Sequence, residues 1–186
     1  SVFKTFTIAA GLENKLINSE TVFKNLKNSL TCDKFTINEH DKLPSSLSAE
    51  QILVRSSNIG TVRIAQKLGI EKYKNFLNNL GLLETIKFDL KEVGTPLSFR
   101  WGKCKLATAS YGHGITTTPL QLARAYAILG NGGYKIEPTI LKKKSKKLKK
   151  GKKIISDKTS NEVNNMLRKV VSLEEGTANF ADIEGY

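Results

Sequence analysis

Apolar residues recur at Val2, Phe3, Phe6, Ala9, Ala10, Leu12 and Leu16. This is helical spacing with a wide apolar face, and it predicts a well-buried helix from Ser1 to about Lys15. Gly11 weakens the pattern without breaking it. Ser19 to Leu43 has no clear period and several turn formers, so it reads as irregular chain with short strands, one around Lys34-Phe35-Thr36-Ile37. Ser48-Ala49-Glu50-Gln51 is a capping box ahead of Ile52, Leu53 and Val54. The helix it opens is short, because Ser56-Ser57-Asn58 brings side chains that compete for backbone hydrogen bonds. Asn58 is then expected to cap a new helix through Val62, Ala65 and Leu68, ended by Gly69. Another helix runs from about Ile70 to Leu80 and stops at Gly81.

The second half is patterned less evenly. Phe88 to Trp101 is mixed, with Gly94 and Pro96 as punctuation. Leu106 to Gly114 is rich in small residues, and Tyr111-Gly112-His113-Gly114 predicts a tight loop. Thr118-Pro119-Leu120-Gln121 is a strong helix start: a capping threonine, proline at the first helical position, and glutamine closing the box. Leu122, Ala125, Tyr126 and Leu129 give that helix its inward face, and Asn131-Gly132-Gly133 ends it. Tyr134 to Leu141 reads as a strand, with Ile154-Ile155 as its short partner. Ser156 caps a last helix with Val163, Met166, Leu167, Val170 and Val171 on one face, and Gly176 to Tyr186 has no period. Helices interspersed with strands make the expected class mixed α/β (α+β), a helical cluster packed on an antiparallel sheet.

The 186 residues suit one domain or part of one, and 39% hydrophobic content is enough for a globular core. No apolar run approaches the roughly 18–20 residues that span a bilayer. The formal charge is +13, but Lys142 to Lys153 holds nine lysines, and without them +4 remains. A basic groove across the whole domain is therefore not implied, and no nucleic-acid partner is expected. The run itself reads as a solvated hairpin tip without interleaved aromatics. The alternative is a binding module for an anionic membrane surface or an acidic polymer. Cys32 and Cys104 match no zinc or redox spacing. They read as two isolated thiols, with a single bridge in an oxidising compartment as the alternative.

Chemistry concentrates in two strings. In Ser1-Val2-Phe3-Lys4, positions three apart share a helix face, so the hydroxyl and the amine can meet. A serine is a poor nucleophile until a neighbour takes its proton, and a lysine can do so only if burial lowers its pKa. Val2, Phe3 and Phe6 are suited to supply that burial. In Ser56-Ser57-Asn58, the Ser56 hydroxyl can relay a proton, and the Asn58 amide can donate to a substrate carbonyl and accept from the lysine. Taken singly, the first string is also an ordinary serine cap with an exposed lysine, and the second a helix break made of turn formers.

Taken in order, three blocks carry a resemblance. Ser1-Val2-Phe3-Lys4-Thr5-Phe6, then Arg55-Ser56-Ser57-Asn58-Ile59-Gly60, then Ser110 to Ala123 resemble the class B penicillin-binding proteins, the D,D-transpeptidases of peptidoglycan synthesis. The septal, cell-division member is the nearest in kind, and the likeness extends across essentially the whole chain. It implies the penicillin-binding transpeptidase fold, shared with serine β-lactamases, with Ser1 as acylated nucleophile and Lys4 as general base. It makes Ser56 the proton relay and Asn58 a ligand of Lys4 and of the substrate amide. The implied reaction joins stem peptides from D-Ala-D-Ala donors through an acyl-enzyme that β-lactams also form, and it needs no cofactor or metal. Implied partners are peptidoglycan stem peptides, the lipid-linked precursor, β-lactam antibiotics and divisome membrane proteins. The implied location is the periplasmic face of the bacterial inner membrane.

Alternatives within this resemblance are an elongation-specific transpeptidase and a β-lactamase or β-lactam sensor. The family's Lys-Thr-Gly element has no counterpart in the sequence, since Lys150-Gly151-Lys152 lies inside the lysine run. Residues 1–186 are thus expected to form a partial transpeptidase domain, beginning at the catalytic serine and ending before that strand. Alone, it is expected to be inactive or poorly acylated. His113 is expected to be a loop residue and His40, next to Asp41, a surface one. Trp101 and Tyr126 are expected to pack, with Trp101 also able to line a groove.

Overall fold

A computed structural model describes residues 2–142 and 151–183; Ser1, residues 143–150 and residues 184–186 lie outside the described residues. Most of the lysine run therefore falls outside them. The molecule is built around one helix, α1 (Val2–Glu13), buried continuously from Phe3 to Leu12. A helix apolar on most of its circumference must be covered on all sides. Here α2 (Ala49–Val54), α3 (Asn58–Leu68), α4 (Ile70–Asn79), α5 (Lys103–Ser110) and α7 (Asp157–Ser172) do so. α6 (Pro119–Gly130) packs on α7 and sets Tyr126 against Phe6.

The polar residues of α1 are satisfied from these neighbours. Thr7 donates to the Ser110 carbonyl at 2.7 Å and lies 2.8 Å from the Tyr73 hydroxyl. Such pairing removes most of the cost of burying a hydroxyl. The helix starts follow the sequence. Ser48 and Gln51 form the reciprocal box of α2, Thr118 and Gln121 that of α6, and the Ser156 hydroxyl accepts from Thr159 N at the head of α7. Gly60 lets α3 approach α2, because a Cβ there would stand 2.5 Å from Ile52 Cγ1.

Strands are few and short among the described residues. β1 (Val22–Phe23) pairs antiparallel with β4 (Leu47–Ser48). β2 (Ser29–Cys32) and β3 (Phe35–Asn38) form a hairpin in register Ser29 with Asn38 and Cys32 with Phe35. The mixed α/β class is as expected, with helices dominant and the sheet component reduced to these two ladders.

Four local expectations are corrected. The N-cap of α3 is Ser57, not Asn58: Ser57 is extended and its hydroxyl accepts from Gly60 N, while Asn58 is already helical. Lys103–Ser110 is a helix, although its small residues gave no helical stripe. That helix carries Cys104 to the end of β2, where it forms a disulfide with Cys32 across 72 residues, replacing the reading of isolated thiols. Tyr134 to Leu141 does not form a strand with Ile154-Ile155. The pairing is a single bridge between Tyr134 and Lys153, supported by Lys135 N donating to Lys152 O. Pro138 has no N–H for a ladder, and Asp89 takes the Ile140 N–H at 2.9 Å, tying the segment elsewhere.

Candidate active site

Lys4 projects from the first turn of α1 and is 3% exposed. Its Nζ donates to Ser56 Oγ at 2.7 Å and to the Ser56 carbonyl at 2.5 Å. Burial pushes its pKa down to about 8, against a smaller upward pull from the Glu39 carboxylate. An amine in that range is neutral in a substantial fraction of molecules near physiological pH, so it can accept a proton. Behind it, Phe3 and Phe6 stack edge to face with centroids 5.4 Å apart. Gly112, at φ +92°, closes against Phe3, where a Cβ would sit 2.8 Å from Phe3 Cβ.

Ser56 is the middle residue of the three-residue connection between α2 and α3, with φ +56°. A non-glycine residue in the left-handed region costs about 1–2 kcal/mol. That conformation presents its hydroxyl and its carbonyl to the same amine. Ser57 is turned the other way, into the core, where it caps α3. The alternation of roles in Ser56-Ser57 thus follows from a backbone reversal at Ser56.

Of the four residues singled out by sequence, Lys4 and Ser56 are in direct contact. Asn58 is beside them on the first turn of α3, but its Nδ2 donates to the Asn38 carbonyl at 2.8 Å rather than serving Lys4. Among the described residues no hydrogen bond joins Lys4 to Asn58; the end of β3 engages the Nδ2 side of the amide, and that contact does not use the Oδ1 side expected to accept from Lys4. Ser1 lies outside the described residues, one position before α1.

Two contributors were missed. Tyr126 packs as expected, yet its hydroxyl also donates to Val2 O at 2.8 Å and lies 3.0 Å from Thr5 Oγ1, fixing the first turn of α1. Glu39 accepts from the Ser57 hydroxyl, Asn58 N and Ile59 N. Neither role leaves a local signal, since one depends on a contact across 124 residues and the other on a carboxylate in an aperiodic stretch. A cavity of about 370 Å³ opens beside Ser56, lined by Glu39, His40, Asp41, Leu43, Arg55 and Thr177. His40 is exposed, and His113 stacks on Tyr111 in the loop, as expected. Trp101 packs edge to face on Tyr73 and lines a separate cavity with Phe99 and Leu97. Among the described residues no three acidic, histidine or cysteine side chains converge as metal ligands, and no helix is long and apolar enough to cross a membrane.

Chemically, a buried amine with its pKa lowered to about 8 and in contact with a hydroxyl is a proton-transfer pair. Comparison with known proteins places it in a family. Residues 1–186 match the penicillin-binding protein transpeptidase domain. The chain is 33% identical to a Caulobacter vibrioides protein named "Probable peptidoglycan D,D-transpeptidase FtsI", covering 100% of this chain and 32% of that one. It is 34% identical to the peptidoglycan D,D-transpeptidase FtsI of Buchnera aphidicola, covering 100% of this chain and 33% of that one. It thus spans about a third of the length of the curated relatives it matches. The apo transpeptidase domain of Burkholderia pseudomallei penicillin-binding protein 3 superposes with a TM-score of 0.92 at 28% identity, covering 100% of this chain and 56% of that one. The buried lysine–serine pair, the three ordered motifs and a match along all 186 residues agree, and the chain belongs to the penicillin-binding protein transpeptidase family.

Proposed function

We propose that this chain is the part of a peptidoglycan D,D-transpeptidase that carries its nucleophile, base and relay. The observation that supports this most directly is the buried Lys4 amine donating to Ser56 Oγ at 2.7 Å, one helical turn from Ser1 in sequence. In this reading neutral Lys4 takes the Ser1 hydroxyl proton as Ser1 Oγ bonds to the carbonyl carbon of the penultimate D-Ala of a stem peptide. The C–N bond to the terminal D-Ala breaks, and the proton passes from Lys4 through Ser56 to the leaving amine. The resulting ester is attacked by an acceptor amine from a neighbouring strand. That amine's proton returns by the same route to Ser1 Oγ, which leaves. A β-lactam follows the first half and stays as the acyl-enzyme.

Substrate-carboxylate binding and part of the oxyanion hole are assigned to a Lys-Thr-Gly strand elsewhere in a longer protein, since no such string occurs in these residues. Residues 1–186 are accordingly read as part of the transpeptidase domain. The FtsI names of relatives support a septal role; a place on the periplasmic face of the inner membrane, with divisome membrane proteins and the lipid-linked precursor as partners, is proposed with it. Fluorescent penicillin and intact-mass measurement on the full-length protein test the chemistry: one adduct on Ser1, lost in Lys4→Met, is expected. Its slow release separates a transpeptidase from a β-lactamase. An adduct on another residue, or labelling of Lys4→Met at the unaltered rate, overturns the assignment. Enrichment of a tagged protein at mid-cell tests the septal role, and uniform side-wall localisation favours the elongation-specific alternative.

A further inference from the structure

We propose that Glu39 is a positioning residue of this active site: with the Asn38 carbonyl it clamps the start of α3 and so holds Ser56 in its left-handed conformation facing Lys4. The inference rests on the transpeptidase reading given above and goes beyond it by naming what supports the relay.

The geometry is specific. Glu39 Oε1 accepts from the Ser57 hydroxyl at 2.6 Å and from Ile59 N at 2.9 Å, and Oε2 accepts from Asn58 N at 2.7 Å. Asn38 O takes the Asn58 amide at 2.8 Å. Two consecutive residues at the end of β3 thus make four hydrogen bonds to Ser57, Asn58 and Ile59, the three residues that follow Ser56. Ordinary helix capping does not require this, because α3 has its own cap in Ser57, whose hydroxyl accepts from Gly60 N at 2.9 Å while donating to Glu39. The carboxylate receives three bonds where one would cap, and a left-handed serine persists only where its surroundings over-determine it. On the other side Ser56 accepts from Lys4 Nζ at both its hydroxyl and its carbonyl, so the clamp bears on the distance between Ser56 and the amine.

Glu39 also acts through charge. The groups around it are Lys4 from α1, Arg55 from the end of α2 with its partner Glu175, and His40 and Asp41 next in the chain. Its negative charge favours the Lys4 ammonium, opposing burial. Removing the charge therefore moves the Lys4 midpoint to lower pH, while removing the reach disturbs Ser56. These two effects separate in variants.

The test is the acylation rate constant of the full-length protein with a fluorescent penicillin, measured from pH 6 to 10. The labelled fraction at completion counts folded, competent sites, so the rate constant reports only on them even if a variant is less stable. Glu39→Ala is expected to acylate at least ~10-fold more slowly at its plateau. Glu39→Gln keeps the length and loses the charge: it slows by several-fold, and its alkaline midpoint shifts to lower pH. Glu39→Asp keeps the charge and loses the reach: it slows similarly with the midpoint unmoved. Rate constants within about twofold of the unaltered protein for Glu39→Ala and Glu39→Gln, with no midpoint shift, overturn the proposal. Lys4→Met run alongside separates the two claims. If it is inert while the Glu39 variants behave normally, only the clamp fails; if it labels normally, the transpeptidase reading fails first.

Discussion

The neighbourhood of Lys4 and the extended segments on the far side of α4 are built on opposite terms. Around Lys4, every side chain of α1 from Phe3 to Leu12 is buried, and its Lys4, Thr5 and Thr7 side chains each have a partner. Along residues 84–101 and 134–142 the chain runs without strands, and Leu97, Ile140 and Leu141 are 70%, 63% and 64% exposed. The first region spends backbone strain at Ser56 and amine desolvation at Lys4, and the packed helices hold both in place. The second stores nothing of the kind. The contrast teaches that chemistry here depends on rigidity delivered by helix packing, so substitutions should hurt activity in proportion to their closeness to α1 and its clamp.

The largest effect is expected at Lys4. Lys4→Met matches the length of the stem and retains the packing, but removes the proposed base, so acylation should fall by about 10²–10⁴ in plateau rate. Rapid-quench labelling of the full-length protein measures this. The pH profile sharpens it. With the midpoint lowered to about 8, the rate should climb through that pH and stand at about a tenth of its plateau at pH 7. The stability sign follows from the same shift. Between about 8 and the ordinary 10.5 the unfolded chain binds the proton that the folded chain has released. The Lys4 contribution to stability therefore rises with pH through that window, and below it burial of the charge weighs against folding. Urea midpoints at pH 7 and pH 9, compared between the unaltered protein and Lys4→Met, isolate the term.

Ser56 should follow. Ser56→Ala removes the proposed relay and leaves the left-handed backbone with a Cβ, and an approximately 10²-fold loss in rate is expected. Ser56→Gly removes the relay and relieves the strain, so it should lose as much activity while unfolding at a higher urea concentration. If the glycine variant kept the activity that the alanine variant lost, backbone geometry rather than the hydroxyl would be what Ser56 supplies.

How far these roles could be read in advance depended on the range of the interactions involved. Phe3, Phe6, Ala9 and Leu12 announced a buried helix, and the Ser48–Gln51 and Thr118–Gln121 boxes announced two helix starts, because stripes and caps are local. Lys4 and Ser56 were legible as a pair only through their ordered strings. The turn of the Asn58 amide toward Asn38 was not, since it is decided by a hairpin 20 residues away. Helix α5 was missed because Lys-Cys-Lys-Leu-Ala-Thr-Ala-Ser presents small residues on every face. Without it the Cys32–Cys104 bridge stood only as the alternative to two isolated thiols.

That disulfide links the hairpin bearing Asn38 and Glu39 to α5, so it sits at the border between the two regions. Cys32→Ser with Cys104→Ser should lower stability by about 2–4 kcal/mol, through the larger freedom of the unfolded chain. Urea titrations with and without reductant measure it, and the reductant should affect only the parent. Acylation should slow by less than in Glu39→Ala, because the hairpin remains paired from Ser29–Asn38 to Cys32–Phe35. An equal or greater slowing would place the tether, rather than the carboxylate, at the head of the support.

The smallest effect is expected where the contrast began. Leu97 is 70% exposed at the lip of the cavity shared with Phe99 and Trp101. Leu97→Ser removes apolar surface that water already covers, so stability should change by no more than about 0.5 kcal/mol and the acylation rate should be unmoved. Thermal unfolding and penicillin labelling of the full-length protein check both. A loss of several kcal/mol would show that the extended segment is packed as firmly as α1. The contrast between a strained, rigid centre and a loosely held periphery would then fail at the position where it predicts the least.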